Sequence, residues 1–427
     1  MDFEKTGKLV CDVVSSSSPK MLFDRYSKLS LEEWHQIYQF GLLYNLLPLL
    51  YAKLFKQNLL GLLPVGIKSI FQNQYNAASC SALKRQFEIK RILKILHDSD
   101  IDVILLKGGY VAEVYYENSA ERPMSDIDLL VKQQDIYKTA DILVTSAGCT
   151  YVQDKNNDSA ILDSAEDLDR LKKFTKHISE IKTPKGFSLE IHWALDYSNE
   201  SSNTLINMVE IWKSKKAVQI CGTDCYVINL ELCLLYLCVN IAEDSFKQKI
   251  LQLYDIFLIV GNSEIDWNFL VNKAKEWNCH RALYCVLIAE NKLFNLQIPD
   301  NVSKELDLLA PCTLEIRNVM FDSIFADLSV AEQYEDKIGS EFSTKSVKDK
   351  IKFFYWSFWS KDKIFYHYGI QKGTLRLFVC RIKRTIYLLK KYLSSFLHLY
   401  IMNPDKKDKI KKRNISSFKI LDNWLKK

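Results

Sequence analysis

The residues best suited to chemistry are Asp126 and Asp128, in the run Ser125-Asp126-Ile127-Asp128-Leu129-Leu130-Val131. Residues two apart on a strand share a face. Both carboxylates are therefore predicted to point together while Ile127 and Leu129 enter the core. Two such acids repel unless a cation joins them. Hard divalent cations prefer carboxylate oxygen, and Mg²⁺ typically uses one or two carboxylates plus substrate phosphates. Two such ions about 3.5–4 Å apart can stabilise both the attacking and the leaving oxygen of a displacement. A third acid, Glu190, lies in Phe187-Ser188-Leu189-Glu190-Ile191-His192-Trp193, whose alternation sets Ser188, Glu190 and His192 on one face. If that strand pairs beside 126–131, Glu190 faces the aspartates at a cross-strand distance of about 5 Å. The plainer alternative is that Glu190 and His192 line the wet face of a sheet.

Cations and glycines stand near these acids. Lys107-Gly108-Gly109 lies at a predicted strand-to-helix turn. There glycine lets backbone N–H groups approach a phosphate, and the helix N-terminus favours an anion. Lys107 and Arg122 are the nearest cations for a triphosphate or an acceptor phosphate, with an exposed or structurally paired cation as the alternative. Ser125 adjoins the acidic pair. His177 and His192 are candidates for a base or a substrate contact, against the reading of satisfied structural histidines.

The elements that must position these groups follow from periodicity. Residues 1–75 read as helical, with Leu42, Leu43, Leu46, Leu47 and Leu50 on a stripe and Pro48 as a kink or boundary. Residues 69–98 read as a second long helix. The β-branched run Ile101–Leu106 reads as a buried strand, followed by a short helix, a loop with Arg122 and Pro123, and the strand 126–131. A helix from Ile136 ends near Gly148. His177–Ile181 and 187–193 read as a hairpin about the turn Thr183-Pro184-Lys185-Gly186. From about Leu205 the chain reads as helical throughout. Asp154–Asp158 lacks the Gly and Glu that a calcium loop requires. An aromatic-rich stretch at 353–359 precedes the basic end.

Bulk properties bound the rest. The chain has 427 residues, 48% hydrophobic and 26% charged, which suits a folded chain of several domains. Its 11 cysteines are scattered, several within apolar runs, which points to reduced thiols and a cytoplasmic location. Cys221 and Cys225 have no second pair at zinc spacing. No secretory leader and no apolar run of about 18 residues is read. The net charge of +6 is matched by the nine Lys/Arg and three Asp of residues 405–427, so the remainder sums to about zero. The body is thus not a general polyanion surface. Ile382–Met402 and the basic end read either as a packed helix with a solubilising tail or as a peripheral contact with an anionic membrane at its inner face. Nucleic acid is not expected there, because Phe418 and Trp424 are the only aromatics that could stack within the tail.

In combination, Leu105-Leu106-Lys107-Gly108, Arg122-Pro123-Met124-Ser125-Asp126-Ile127-Asp128-Leu129-Leu130-Val131 and Leu189-Glu190-Ile191-His192-Trp193 resemble the bacterial uncharacterised nucleotidyltransferase family of the DNA-polymerase-β superfamily. Leu234–Cys238, Leu251–Ile256 and Asp266-Trp267 resemble that family's helical half. The resemblance spans roughly residues 30–300. It implies an α+β chain, with a small mixed β-sheet nucleotidyltransferase core and large flanking helical regions. It also implies transfer of a nucleoside monophosphate from an NTP to an acceptor it does not name, whether small molecule, sugar or protein. By the family pattern Asp126, Asp128 and Glu190 hold the metal, read as Mg²⁺ or Mn²⁺, while Lys107, Gly108, Gly109, Arg122 and Ser125 are expected to bind the nucleotide from their own types and positions. The expected organisation is a helical segment at 1–75, the core at 76–200, a helical domain at 201–340 and a helical basic region at 341–427. The superfamily usually places Gly-Ser about ten residues before its acidic pair, whereas here Gly108-Gly109-Tyr110 has no Ser and Gly109 lies 17 positions before Asp126. That departure supports the alternative of a catalytically inactive module with a binding or regulatory role.

Overall fold

A computed structural model of the chain describes residues 3–15, 18–151, 176–178, 180–196, 204–326, 378–386 and 415–425. The chain divides into two compact units. The first comprises Met1–Cys149, Lys182–Asp196 and Asn203–Ala326, and it contains Asp126, Asp128 and Glu190. The second comprises Thr150–Ile181, Tyr197–Ser202 and Asp327–Lys427. Its described parts include the strand Thr150–Tyr151, His177 and the helix Ile415–Leu425. Asp154–Asp158, the aromatic stretch 353–359 and residues 387–414 lie outside the described residues. Among the described residues no helix is long and apolar enough to cross a membrane.

The fold is mixed, with many helices and seven strands among the described residues. Its strands are β1 (Val103–Leu105), β2 (Asp126–Val131), β3 (Thr150–Tyr151), β4 (Ile181–Lys182), β5 (Ser188–His192), β6 (Lys216–Ile220) and β7 (Thr223–Val227). Five of them belong wholly to the first unit and run in the order β5-β2-β1-β7-β6. β2 is therefore interior, antiparallel to β1 and parallel to β5. Its apolar residues Ile127, Leu129, Leu130 and Val131 are all buried, as an interior strand requires.

Local chemistry explains most boundaries. Pro48 falls in the first turn of the helix Leu47–Lys56 and marks a boundary rather than a kink, consistent with its fixed φ and missing N–H. Ser30 and Glu33 form a reciprocal capping box at the start of Leu31–Leu43. The long helix Val65–His97 carries Ile89, Ile92, Leu93 and Leu96 on its buried face. The hairpin turn closes as read, with Gly186 N–H donating to Thr183 O at 2.9 Å and Thr183 N–H donating to Phe187 O at 2.9 Å.

One expectation fails. The chain beyond Leu205 is not helical throughout, because β6 and β7 form an antiparallel hairpin with Ile220 opposite Thr223. The central pair Cys221-Gly222 has φ of +51° and +72°, the twist that suits a two-residue hairpin. Cys is an unusual first residue for such a turn, so the composition did not flag it. β7 then pairs parallel with β1 through Ile104 and Tyr226, and extends the sheet on the side away from the carboxylates.

The helical half packs as Leu230–Glu243, Ile250–Gly261 and His280–Phe294. Within it Glu290 is completely buried, and neither carboxylate oxygen has a hydrogen-bond partner among the described residues. Burial, then the nearby Asp255 charge, push its carboxyl well above the ordinary value. The folded chain therefore keeps a proton that the unfolded chain releases above about pH 4.3, so this group costs stability as pH rises through that value. Glu290→Met is expected to raise the thermal midpoint at pH 7.5 by about 2 °C or more, and to change it little at pH 4. Melts of both proteins at the two pH values check this, and an equal gain at both would contradict it.

Candidate functional site

The parallel register of β2 and β5 builds the site. Asp126 lies beside Ser188, Asp128 beside Glu190 and Leu130 beside His192. Ser188 N–H also donates to Ser125 O at 3.0 Å, which locks the register one residue before the strand. The i, i+2 face of each strand thus delivers Asp128 and Glu190 side by side, as the alternation predicted.

Donor atoms of Asp128, Glu190 and His192 all lie within 4.8 Å of one another. His192 is fully buried, with Nε2 3.0 Å from Asp128 Oδ1 and 3.4 Å from Glu190 Oε2. Glu190 remains part-exposed, at 31% of its side chain. Two carboxylates and one imidazole at this spacing suit a divalent cation. His192 joins this group as a possible ligand, a role that reading it as a substrate contact had not included. Asp126 is not in that tight cluster, although it shares the face.

Electrostatics separate the two aspartates. Burial alone would raise the Asp128 carboxyl. Hydrogen bonding to His192 and the Lys107 charge outweigh it and hold Asp128 below the usual carboxylate range. Burial, and next the Asp128 charge, raise Asp126 against the pull of Lys107. Asp128 is thus the firmly ionised member of the pair.

Lys107 opens the helix Lys107–Val114 with a left-handed φ of +43°, uncommon for a residue with a Cβ. Its ammonium donates to Asp128 Oδ1 at 2.7 Å. Leu106 N–H donates to Asp128 O at 3.0 Å, which ties this turn to β2. Among the described residues no side chain caps the helix, so its first-turn N–H groups are left for water or a ligand. A Cβ on Gly109 would lie 3.0 Å from Leu105 Cδ1, so this glycine lets the helix pack against β1.

Arg122 is buried and structurally paired. Its Nε and Nη2 donate to Asp255 Oδ1 and Oδ2 at 2.7 and 2.6 Å. The Tyr116 hydroxyl also donates to Asp255 Oδ1, at 2.8 Å. Asp255 had not been singled out as a site residue from the sequence. The available signal was an acid inside the otherwise apolar helix Ile250–Gly261, since a buried charge demands a partner.

A cavity of about 570 Å³ opens beside these groups, with Lys107, Gly108, Arg122, Ser125, Asp126 and Asp128 on one side. Asn240 and Gln252 line it from the helical half, while Glu190 and His192 do not line it. Its size falls within the range of small-molecule sites. His177 belongs to the second unit, where its Nδ1 lies 2.8 Å from Ile178 O.

No individually curated protein and no solved structure gives a match to this chain. A family model does, across residues 30–295, a span that holds the carboxylate strands, the lysine turn, Arg122 and Asp255 together. The chain therefore belongs to the family described as uncharacterised nucleotidyltransferase, and is an enzyme of that transferase class.

Proposed function

We propose that the protein transfers a nucleoside monophosphate from an NTP to an acceptor, with release of pyrophosphate and with Mg²⁺ or Mn²⁺ as the metal. The observation that carries this reading is the register setting Glu190 beside Asp128, next to a cavity that also exposes Asp126, Lys107 and Arg122. Asp126, Asp128 and Glu190 would hold the ion, with His192 holding the Asp128 carboxylate in place. When bound, such an ion supplies charge neutralisation to the transferring phosphate.

The chain's own residues supply position and charge, which is most of what phosphoryl transfer needs. An acceptor oxygen or nitrogen forms a bond to the α-phosphorus, the bond to the bridging oxygen breaks, and the acceptor's proton leaves to water. Lys107, with the open N-terminus of its helix, would face the departing phosphates. His192 and Lys107 both hold Asp128 Oδ1, which leaves Oδ2 for the ion. The acceptor is a small molecule, a sugar or a protein.

The test incubates purified protein with labelled NTP, Mg²⁺ or Mn²⁺ and cell extract, and follows pyrophosphate release and the labelled product. Metal-dependent release is expected. The missing Ser after Gly108-Gly109 favours an inactive module as the second reading. Calorimetry with NTP and metal separates the two, and no metal-dependent binding of any NTP would remove the enzymatic one.

A further inference from the structure

We infer that Asp255 is a positioning residue for nucleotide binding, which acts by holding the Arg122 guanidinium over Gly108 as a phosphate clamp. This rests on the nucleotidyltransfer reading above.

Three observations lead to it. The first is the fork. Asp255 takes two of the three guanidinium nitrogens, at 2.7 and 2.6 Å, and Tyr116 fixes the carboxylate from behind. Such a bidentate pair sets orientation as well as charge. The second is the nitrogen left over. Arg122 is only 7% exposed, and its Nη1 has no hydrogen-bond partner among the described residues. Nη1 lies 2.1 Å from where a Cβ on Gly108 would stand, so it covers the second residue of the helix Lys107–Val114. The third is the setting. Gly108 and Arg122 line the cavity together, next to Asp126 and Asp128. The other cations at that wall are engaged, Lys107 by Asp128 at 2.7 Å and Lys249 by Asp244 at 2.7 Å.

An anion at this point meets a charged donor and uncapped helix N–H groups at once. A buried ion pair adds little net stability compared with apolar residues of similar size. A pair that leaves one donor at a cavity beside metal-binding carboxylates is better explained by a ligand. Asp255 comes from the helical half, so the clamp also gives that half a direct part in binding the nucleotide.

The test uses the full chain with a non-hydrolysable NTP analogue and Mn²⁺, followed by calorimetry. Arg122→Met combined with Asp255→Leu replaces the pair by apolar residues. The expected result is a retained fold, Mn²⁺ binding in the absence of nucleotide within about twofold of wild type, and nucleotide affinity reduced by about tenfold or more. Arg122→Lys keeps the charge but loses the fork. It is expected to show the same selective loss, and it serves if the double variant does not fold. Wild-type nucleotide affinity in either folded variant overturns this inference alone. Absence of metal-dependent nucleotide binding in the wild type removes the nucleotidyltransfer reading and this inference with it.

Discussion

Asp128→Asn is expected to lower the rate of nucleotidyl transfer by about a thousandfold or more while leaving the fold intact. The size follows from several kcal/mol of charge stabilisation, at about 1.4 kcal/mol for each factor of ten. The intact fold follows from the contacts. Asp128 Oδ1 accepts from Lys107 at 2.7 Å and lies 3.0 Å from His192 Nε2. An asparagine oxygen can accept from both, so neither buried partner is stranded, whereas alanine would strand them. The substitution therefore isolates the charge. Mn²⁺ binding should weaken in step with the rate, and circular dichroism should stay near wild type while the thermal midpoint at neutral pH falls, because the ionised carboxylate that Lys107 and His192 favour is gone.

The pH dependence gives a second reading of the same residue. Its folded carboxyl lies below the usual range despite burial, because His192 and Lys107 favour the ionised form. Its stabilising contribution is thus fully present above the unfolded value of about 3.9, and is lost only as pH falls through the lower folded value. Asp128→Asn should remove part of the wild-type loss of stability in strong acid and none of its behaviour near neutrality. A folded Asp128→Asn protein within about tenfold of wild-type activity would end the role assigned to this residue.

How much of this was legible in the sequence depends on the range over which each signal acts. Alternation is local, so Asp126, Asp128, Glu190 and the core partners Ile127, Leu189 and Ile191 were readable from period two alone. The pairing of β2 with β5 was a conditional step. Nothing in either segment states that they are neighbours or that they run parallel, and the register of Asp128 beside Glu190 comes from the tertiary fold. His192 reads as a satisfied structural histidine, a base or a substrate contact, and alternation alone does not tell that it is fully buried. Its row pairs with Leu130, two residues along the strand from the row of Asp128 and Glu190. Arg122 was legible as a cation near the acids, but its partner Asp255 lies 133 positions away. Sequence spacing carries no information about a contact of that kind. The Cys221-Gly222 hairpin was missed for the opposite reason, since its signal is local but is carried by a residue type that seldom marks a turn.

Gly108→Ala is expected to destabilise the protein and to abolish tight nucleotide binding, although helix propensity alone predicts the reverse sign. Gly108 is the second residue of the helix Lys107–Val114, and its φ is not in the left-handed region. An alanine at a helical position with ordinary backbone is favoured over glycine by up to about 1 kcal/mol. Gly66 provides that control, since it is helical and a Cβ there meets nothing within 4 Å. Gly66→Ala should be neutral or stabilising. At Gly108 the added Cβ would stand 2.1 Å from Arg122 Nη1, 2.7 Å from Cζ and 3.0 Å from Nη2. The end of an arginine normally swings aside at little cost. Here two hydrogen bonds to Asp255 and near-complete burial hold it in place. Relief of the clash must break or distort a buried ion pair, at a cost of up to about 3–5 kcal/mol. That exceeds the propensity gain, so the net effect is destabilising. A double-mutant cycle makes the cause testable by thermal denaturation. In the Arg122→Met, Asp255→Leu background the clash partner is gone, and Gly108→Ala should lose most of its penalty. A penalty unchanged in that background would mean that the glycine is required by something other than the guanidinium resting on it.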